Sequence, residues 1–140
     1  MTGLYGKRNQ SKVYTIKEDQ QLMPKRILIA EDQISTREGL TKLAEMRGYD
    51  VVAVSNGVDL LTIAENQRFD LVITDLMMPD LDGASASEIM KLQGNTTPVI
   101  ALTGLSHFDV RLVQTKFTKI FHKPFKVDDL FEYIESLLGK

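Results

Sequence analysis

Five short apolar runs, each followed by a segment with helical spacing, constrain most strongly what this chain can fold into. The runs are RILIA (26–30), DVVAV (50–54), DLVIT (70–74), VIALT (99–103) and KIFH (119–122). Most are continuously apolar rather than alternating, the pattern of strands buried on both faces. The intervening segments repeat apolar residues every three or four positions. Residues 34–47 space Leu40, Leu43, Ala44 and Arg47 along a helix, with Gly48 as a stop. Residues 57–67 turn Leu60, Leu61 and Ala64 inward, 84–93 offer Ile89 and Leu92, and 106–117 read as a fourth helix. Residues 126–138 carry the clearest stripe: Val127, Leu130, Phe131, Ile134, Leu137 and Leu138, with Asp128, Asp129, Glu132 and Glu135 opposite. Strand–helix units joined by short connections imply an α/β fold, a five-stranded parallel sheet doubly wound by helices on both faces.

At 140 residues the chain suits one domain with one sizeable core. Pro24 is the expected boundary between an N-terminal extension, 1–24, and the domain, 25–140; KVYTI (12–16) is a possible strand with no evident partner. Six Lys/Arg and two acids fall in residues 1–26, against eleven Lys/Arg and seventeen acids in the rest. A solvated basic tail on an acidic domain is the simplest reading. No cysteine is present, which excludes disulfides and thiolate metal sites, and His107 and His122 lack metal-ligand spacing. No window is apolar enough to span a bilayer, and the N-terminus has no apolar signal core, so a cytoplasmic protein is expected.

The informative residues stand where the apolar runs end. The first ends at Glu31-Asp32, the third at Asp75, the fourth at Thr103-Gly104 and the fifth at Lys123-Pro124. In an open parallel sheet all carboxyl ends share one edge, and ligands bind there where strand order reverses. Three carboxylates, one hydroxyl and one ammonium should therefore converge. Crowded carboxylates disfavour one another's ionisation unless a cation intervenes. A hard ion such as Mg²⁺ takes oxygen ligands and pairs naturally with phosphate. Lys123 adds positive charge, and Thr103 can donate to a phosphoryl oxygen. An aspartate can act as nucleophile and form an acyl phosphate.

With AED at 30–32, DLMMPDLDG at 75–83, ALTG at 101–104 and KPF at 123–125, the chain resembles the receiver domain of two-component response regulators, similar to the single-domain chemotaxis type. The resemblance covers residues 25–140. It implies strand order 2-1-3-4-5 and phosphorylation of Asp75 by a sensor histidine kinase or a histidine phosphotransfer protein. It implies a Mg²⁺ site (Mn²⁺ as a substitute) made by Asp32 and Asp75, by Glu31 through water, and by the backbone carbonyl of Met77. Thr103 and Lys123 would contact the phosphoryl group, and the Lys123–Pro124 peptide would be cis. Such a domain is a switch that assists its own phosphorylation and dephosphorylation, not a conventional enzyme.

Beside these, Asp80 and Asp82 read as loop and cap residues, Gly83 as support for the turn, and Gly104 as leaving the phosphoryl site open. Met77 and Met78 form an apolar shoulder, with Met77 a candidate for controlling water access. Ile34 is a candidate exposed contact for the kinase. Both histidines read as structural or surface residues. The chain departs from the family pattern at Ile120, where a switch aromatic is usual, at Lys116-Phe117, where Gly-Ala is usual, and between Thr103 and Lys123, which is about two residues short. Phe121 points to the other face by strand alternation. No output domain follows Lys140, so output is expected through protein contact at the face of the fourth predicted helix, strand five and the last helix. DNA binding and membrane insertion are not expected, and the chain is expected to be a monomer or weak dimer. The alternative is a phosphorylation-independent binding module on the same fold. A flavodoxin-like cofactor binder or small phosphatase fits less well, because the first loop has no Gly-rich phosphate cradle.

Overall fold

The computed structural model describes residues 23–105 and 116–139. The expected strand at 12–16, most of the extension, most of the predicted helix over 106–117, His107 and Lys140 lie outside them.

Five strands form one sheet: β1 (Arg26–Ala30), β2 (Asp50–Val54), β3 (Leu71–Asp75), β4 (Val99–Thr103) and β5 (Lys119–His122). Their order is β2-β1-β3-β4-β5, and all four pairings are parallel. The described helices are α1 (Ile34–Met46), α2 (Gly57–Asn66), α3 (Gly83–Leu92) and the final helix, α4 (Val127–Leu138). The fold class and strand order match the sequence expectation.

Strand alternation divides the core in two. Ile27, Ile29, Leu71, Ile73, Ile100 and Leu102 face α1 and α4, where Leu40, Ala44, Leu130, Phe131 and Ile134 complete a buried cluster. Leu28, Ala30, Val72, Val99 and Ala101 face α2 and α3, with Leu60, Ala64, Ala86, Met90 and Phe117. β3 and β4 are buried throughout, which is why they read as continuous apolar runs. Phe121 packs with the first cluster and Ile120 with the second, as alternation requires.

Three local expectations change. β3 starts one residue later, where the Asp70 carboxylate accepts the Arg26 backbone N–H at 2.8 Å, and it includes Asp75, which pairs with Leu102 of β4. α3 buries Ala86, Ser87 and Met90, whereas Leu92 is 81% exposed and Ile89 half-buried. Small side chains let this helix sit close to the sheet, so its largest apolar residues do not mark its inner face. Lys116 and Phe117 are not α-helical; they form the turn into β5.

The helix ends follow from local chemistry. Asn56 accepts from the Asp59 N–H to cap α2, and Asp82 accepts from the Ser85 N–H at 2.7 Å to cap α3. α1 stops at Gly48 (φ +93°), with Gly48 N–H donating to Glu45 O and Tyr49 N–H to Ala44 O, a left-handed closure that favours glycine. α3 closes the same way at Gly94 and Asn95. Each α1–α3 N-terminus thereby lies at the carboxyl edge of the sheet.

Candidate functional site

Glu31 and Asp32 leave β1, Asp75 ends β3, Thr103 ends β4 and Lys123 follows β5, so the parallel register brings all five to one edge. One carboxylate oxygen each from Glu31, Asp32 and Asp75 lies within 4.8 Å of the others. The Lys123 ammonium donates to Asp75 Oδ2 at 2.7 Å and to Glu31 Oε1 at 3.2 Å. Glu31 is fully buried, Asp75 is 7% exposed, and Asp32 opens to solvent. The sequence expectation of a converging acid cluster and lysine is thus met in geometry.

Neighbouring backbone holds the cluster in place. The Met77 N–H donates to Asp75 Oδ1 at 3.1 Å, and the Gln33 N–H donates to Glu31 Oε2 at 3.1 Å. Arg37 reaches back from α1 and donates to the Glu31 carbonyl at 2.9 Å. Gly83 lies against the Asp75 backbone, so that a Cβ there would collide with the Asp75 carbonyl oxygen and press on Thr74 Oγ1. Gly83 therefore provides close approach, a stricter demand than turn support. Gly104 has open space where a Cβ would sit. Asp80 adopts φ +70° in the loop and Asp82 caps α3, the roles read from the sequence.

The electrostatics favour a cation. Burial pushes the Glu31 carboxyl above its ordinary value, and Asp75 pushes it the same way against the Gln33 N–H and Lys123. Burial acts to lower Lys123, but hydrogen bonding and charge from Asp75, then Glu31, outweigh it and raise the ammonium above its ordinary value. Two of the three carboxylates, Glu31 and Asp75, share the Lys123 ammonium, and the oxygen donor set of all three is that of a hard divalent ion.

The rim carries two exposed apolar residues, Ile34 and Met77, each 61% accessible. Met78 does not complete a shoulder with Met77; its sulfur lies 3.9 Å from Thr74 Oγ1 and its side chain packs with the second core cluster. Thr103 is fully buried, and its hydroxyl accepts the Leu105 N–H at 2.9 Å. His122, read from the sequence as a structural or surface residue, is half-buried beside Thr103. It pairs with Thr103 across β4 and β5, and its Nδ1 lies 3.3 Å from the Leu105 carbonyl oxygen. The available signal was register: His122 lies two residues after Ile120, on the same face of the strand.

Comparison with known proteins agrees with this geometry. The response regulator receiver domain family matches residues 27–135. Transcription factor SKN7 of Saccharomyces cerevisiae is 36% identical over 106 residues, covering 74% of this chain and 17% of that protein. The chain spans about half or less of the length of the curated relatives it matches. Among solved structures, the receiver domain of sensor histidine kinase PA1611 from Pseudomonas aeruginosa, with a magnesium ion in its active-site cleft, matches with a TM-score of 0.77. It is 29% identical, and the match covers 84% of this chain and 99% of that one. TrrA from Thermotoga maritima, in complex with Mg²⁺ and BeF, matches with a TM-score of 0.75 at 30% identity, covering 81% of this chain and 99% of that one. The family match, the strand order and the acidic pocket agree, and the chain belongs to the response regulator receiver domain family of two-component signal transduction.

Proposed function

We propose that residues 25–140 form a phosphorylation switch whose acceptor is Asp75. The observation that carries this reading is the Asp75 carboxylate, fixed between the Lys123 ammonium at 2.7 Å and the Met77 N–H at 3.1 Å, beside two further carboxylates. Glu31, Asp32, Asp75 and the Met77 carbonyl would hold Mg²⁺. The bound ion would supply charge neutralisation between the carboxylates and the incoming phosphoryl oxygens.

The chain's own residues would do the rest. An Asp75 carboxylate oxygen attacks phosphorus, the bond from phosphorus to the donor imidazole nitrogen breaks, and an acyl phosphate forms. Lys123 turns from Asp75 toward a phosphoryl oxygen and balances its charge. Thr103 donates its hydroxyl proton to another. Its oxygen already accepts the Leu105 N–H, and among the described residues its own proton has no acceptor. The donor in this reading is a histidine kinase or histidine phosphotransfer protein, docking over exposed Ile34 and Met77. Output passes to a protein partner at the β5–α4 side, in the cytoplasm, with residues 1–24 as an appended basic arm. Among the described residues no helix is long and apolar enough to cross a membrane.

Beryllofluoride with Mg²⁺ tests this. We expect amide shifts around Asp75, Thr103 and Lys123 in wild type and none in Asp75→Asn. Wild-type spectra unchanged by beryllofluoride would favour a phosphorylation-independent binding module.

A further inference from the structure

The loop after β4 is tied to β5 through one residue, Leu105. Its N–H donates to Thr103 Oγ1 at 2.9 Å, and its carbonyl oxygen lies 3.3 Å from His122 Nδ1. A carbonyl oxygen only accepts, so a hydrogen bond here requires the hydrogen on His122 Nδ1. The Lys123 N–H donates to the Thr103 carbonyl at 2.7 Å, next to the His122–Thr103 pairing. The Thr103 hydroxyl, the Leu105 backbone (its N–H on one side, its carbonyl on the other) and the His122 ring therefore form a chain of contacts across the β4–β5 edge. Ile120, on the same face of β5, packs into the second core cluster and offers no polar link to Thr103.

We propose that His122 is a positioning residue for the Thr103 hydroxyl, a latch that holds the β4 exit loop in its unphosphorylated arrangement. The inference rests on the reading that Thr103 donates to a phosphoryl group on Asp75. Turning Thr103 toward that group strains its bond with the Leu105 N–H, and His122 resists because it holds the carbonyl of the same residue. The latch does the holding that Ile120 cannot do, and it ties occupancy of the site to the position of β5.

Two measurements test the latch separately from the switch. The first is the tautomer of neutral His122, read from ring ¹⁵N shifts in the unmodified protein. The latch requires Nδ1–H; an Nε2–H ring, the form favoured by free histidine, overturns it whether or not Asp75 is phosphorylated. The second is beryllofluoride affinity in His122→Val and His122→Asn. Valine suits a strand but has no donor, and asparagine can place an amide N–H near the Nδ1 position. Loss of one hydrogen bond from the unliganded state should tighten binding about three- to ten-fold in His122→Val. His122→Asn should stay near wild type. Equal affinities in all three proteins, or weaker binding in His122→Val, overturn the latch. Wild type that binds no beryllofluoride while showing the Nδ1–H tautomer overturns the phosphorylation reading and leaves the latch contact standing.

Discussion

The two edges of the same sheet handle charge in opposite ways. At the amino edge, one guanidinium closes a network. Arg26 donates to Asp50 at 2.8 Å, to the Arg68 carbonyl at 2.9 Å and to the Gln67 side chain at 2.8 Å, and lies 4.7 Å from the Phe69 ring centre. Its backbone N–H binds Asp70. At the carboxyl edge, three carboxylates cluster, and the Lys123 ammonium pairs with two of them, Glu31 and Asp75. Arg37 reaches only the Glu31 and Asp32 backbone carbonyls, and the most buried carboxyl, Glu31, is pushed up in pKa. The first edge joins the starts of β1, β2 and β3. The second keeps an uncompensated negative charge that costs stability in the absence of a cation. Such an imbalance marks a site held for binding rather than for folding.

Substitutions at the two edges should separate these roles. Gly83→Ala has the largest expected effect, because its Cβ meets the Asp75 backbone, which cannot yield as a flexible side chain would. Urea unfolding should show a loss of about 3 kcal/mol, and Mg²⁺ affinity should fall with it. Arg26→Ala should cost about 2 kcal/mol through lost charged hydrogen bonds and lost packing on Phe69, with beryllofluoride affinity unchanged. A stability loss at Arg26 that also weakens the distant site would break the contrast.

Lys123→Met should cost about 1 kcal/mol in the metal-free protein, a value reduced by the partial solvation of the ammonium. The sign with pH follows from its raised value. The lysine's contribution is complete below the ordinary lysine range and is lost as pH climbs through the raised one. Thermal melts should therefore show an alkaline decline in wild type that Lys123→Met lacks. Glu31→Gln has the smallest effect and the opposite direction. Because the folded carboxyl is raised, its contribution is present below the ordinary glutamate value and is lost as pH rises through the raised one. Metal-free Glu31→Gln should melt at or above wild type near neutrality, and that margin should vanish in acid. Calorimetry across pH checks both.

The sheet was legible in the sequence because parallel strands buried on both faces leave unbroken apolar runs, and all such strands end at one edge. Glu31, Asp32, Asp75, Thr103 and Lys123 could be placed together for that reason alone. The inner face of α3 was not legible. Ala86 and Ser87 pack closely because they are small, and hydropathy weights Leu92, which points to solvent. The amino-edge network was also hidden. Arg26 meets partners 24 to 42 residues away through its side chain, and nothing in the local pattern marks a lysine or arginine as paired at that range. His122 was hidden differently. A histidine on a short strand carries no signal until register sets it beside Thr103.

The central claim is that the unbalanced carboxyl edge accepts a phosphoryl group on Asp75 with a divalent cation. Intact mass after incubation with acetyl phosphate tests it most directly. The account predicts the addition of one phosphoryl group in wild type with Mg²⁺, lost on treatment with hydroxylamine. It predicts no addition with chelator or in Asp75→Asn. An unmodified wild-type protein with Mg²⁺ present, or equal modification of Asp75→Asn, would contradict it.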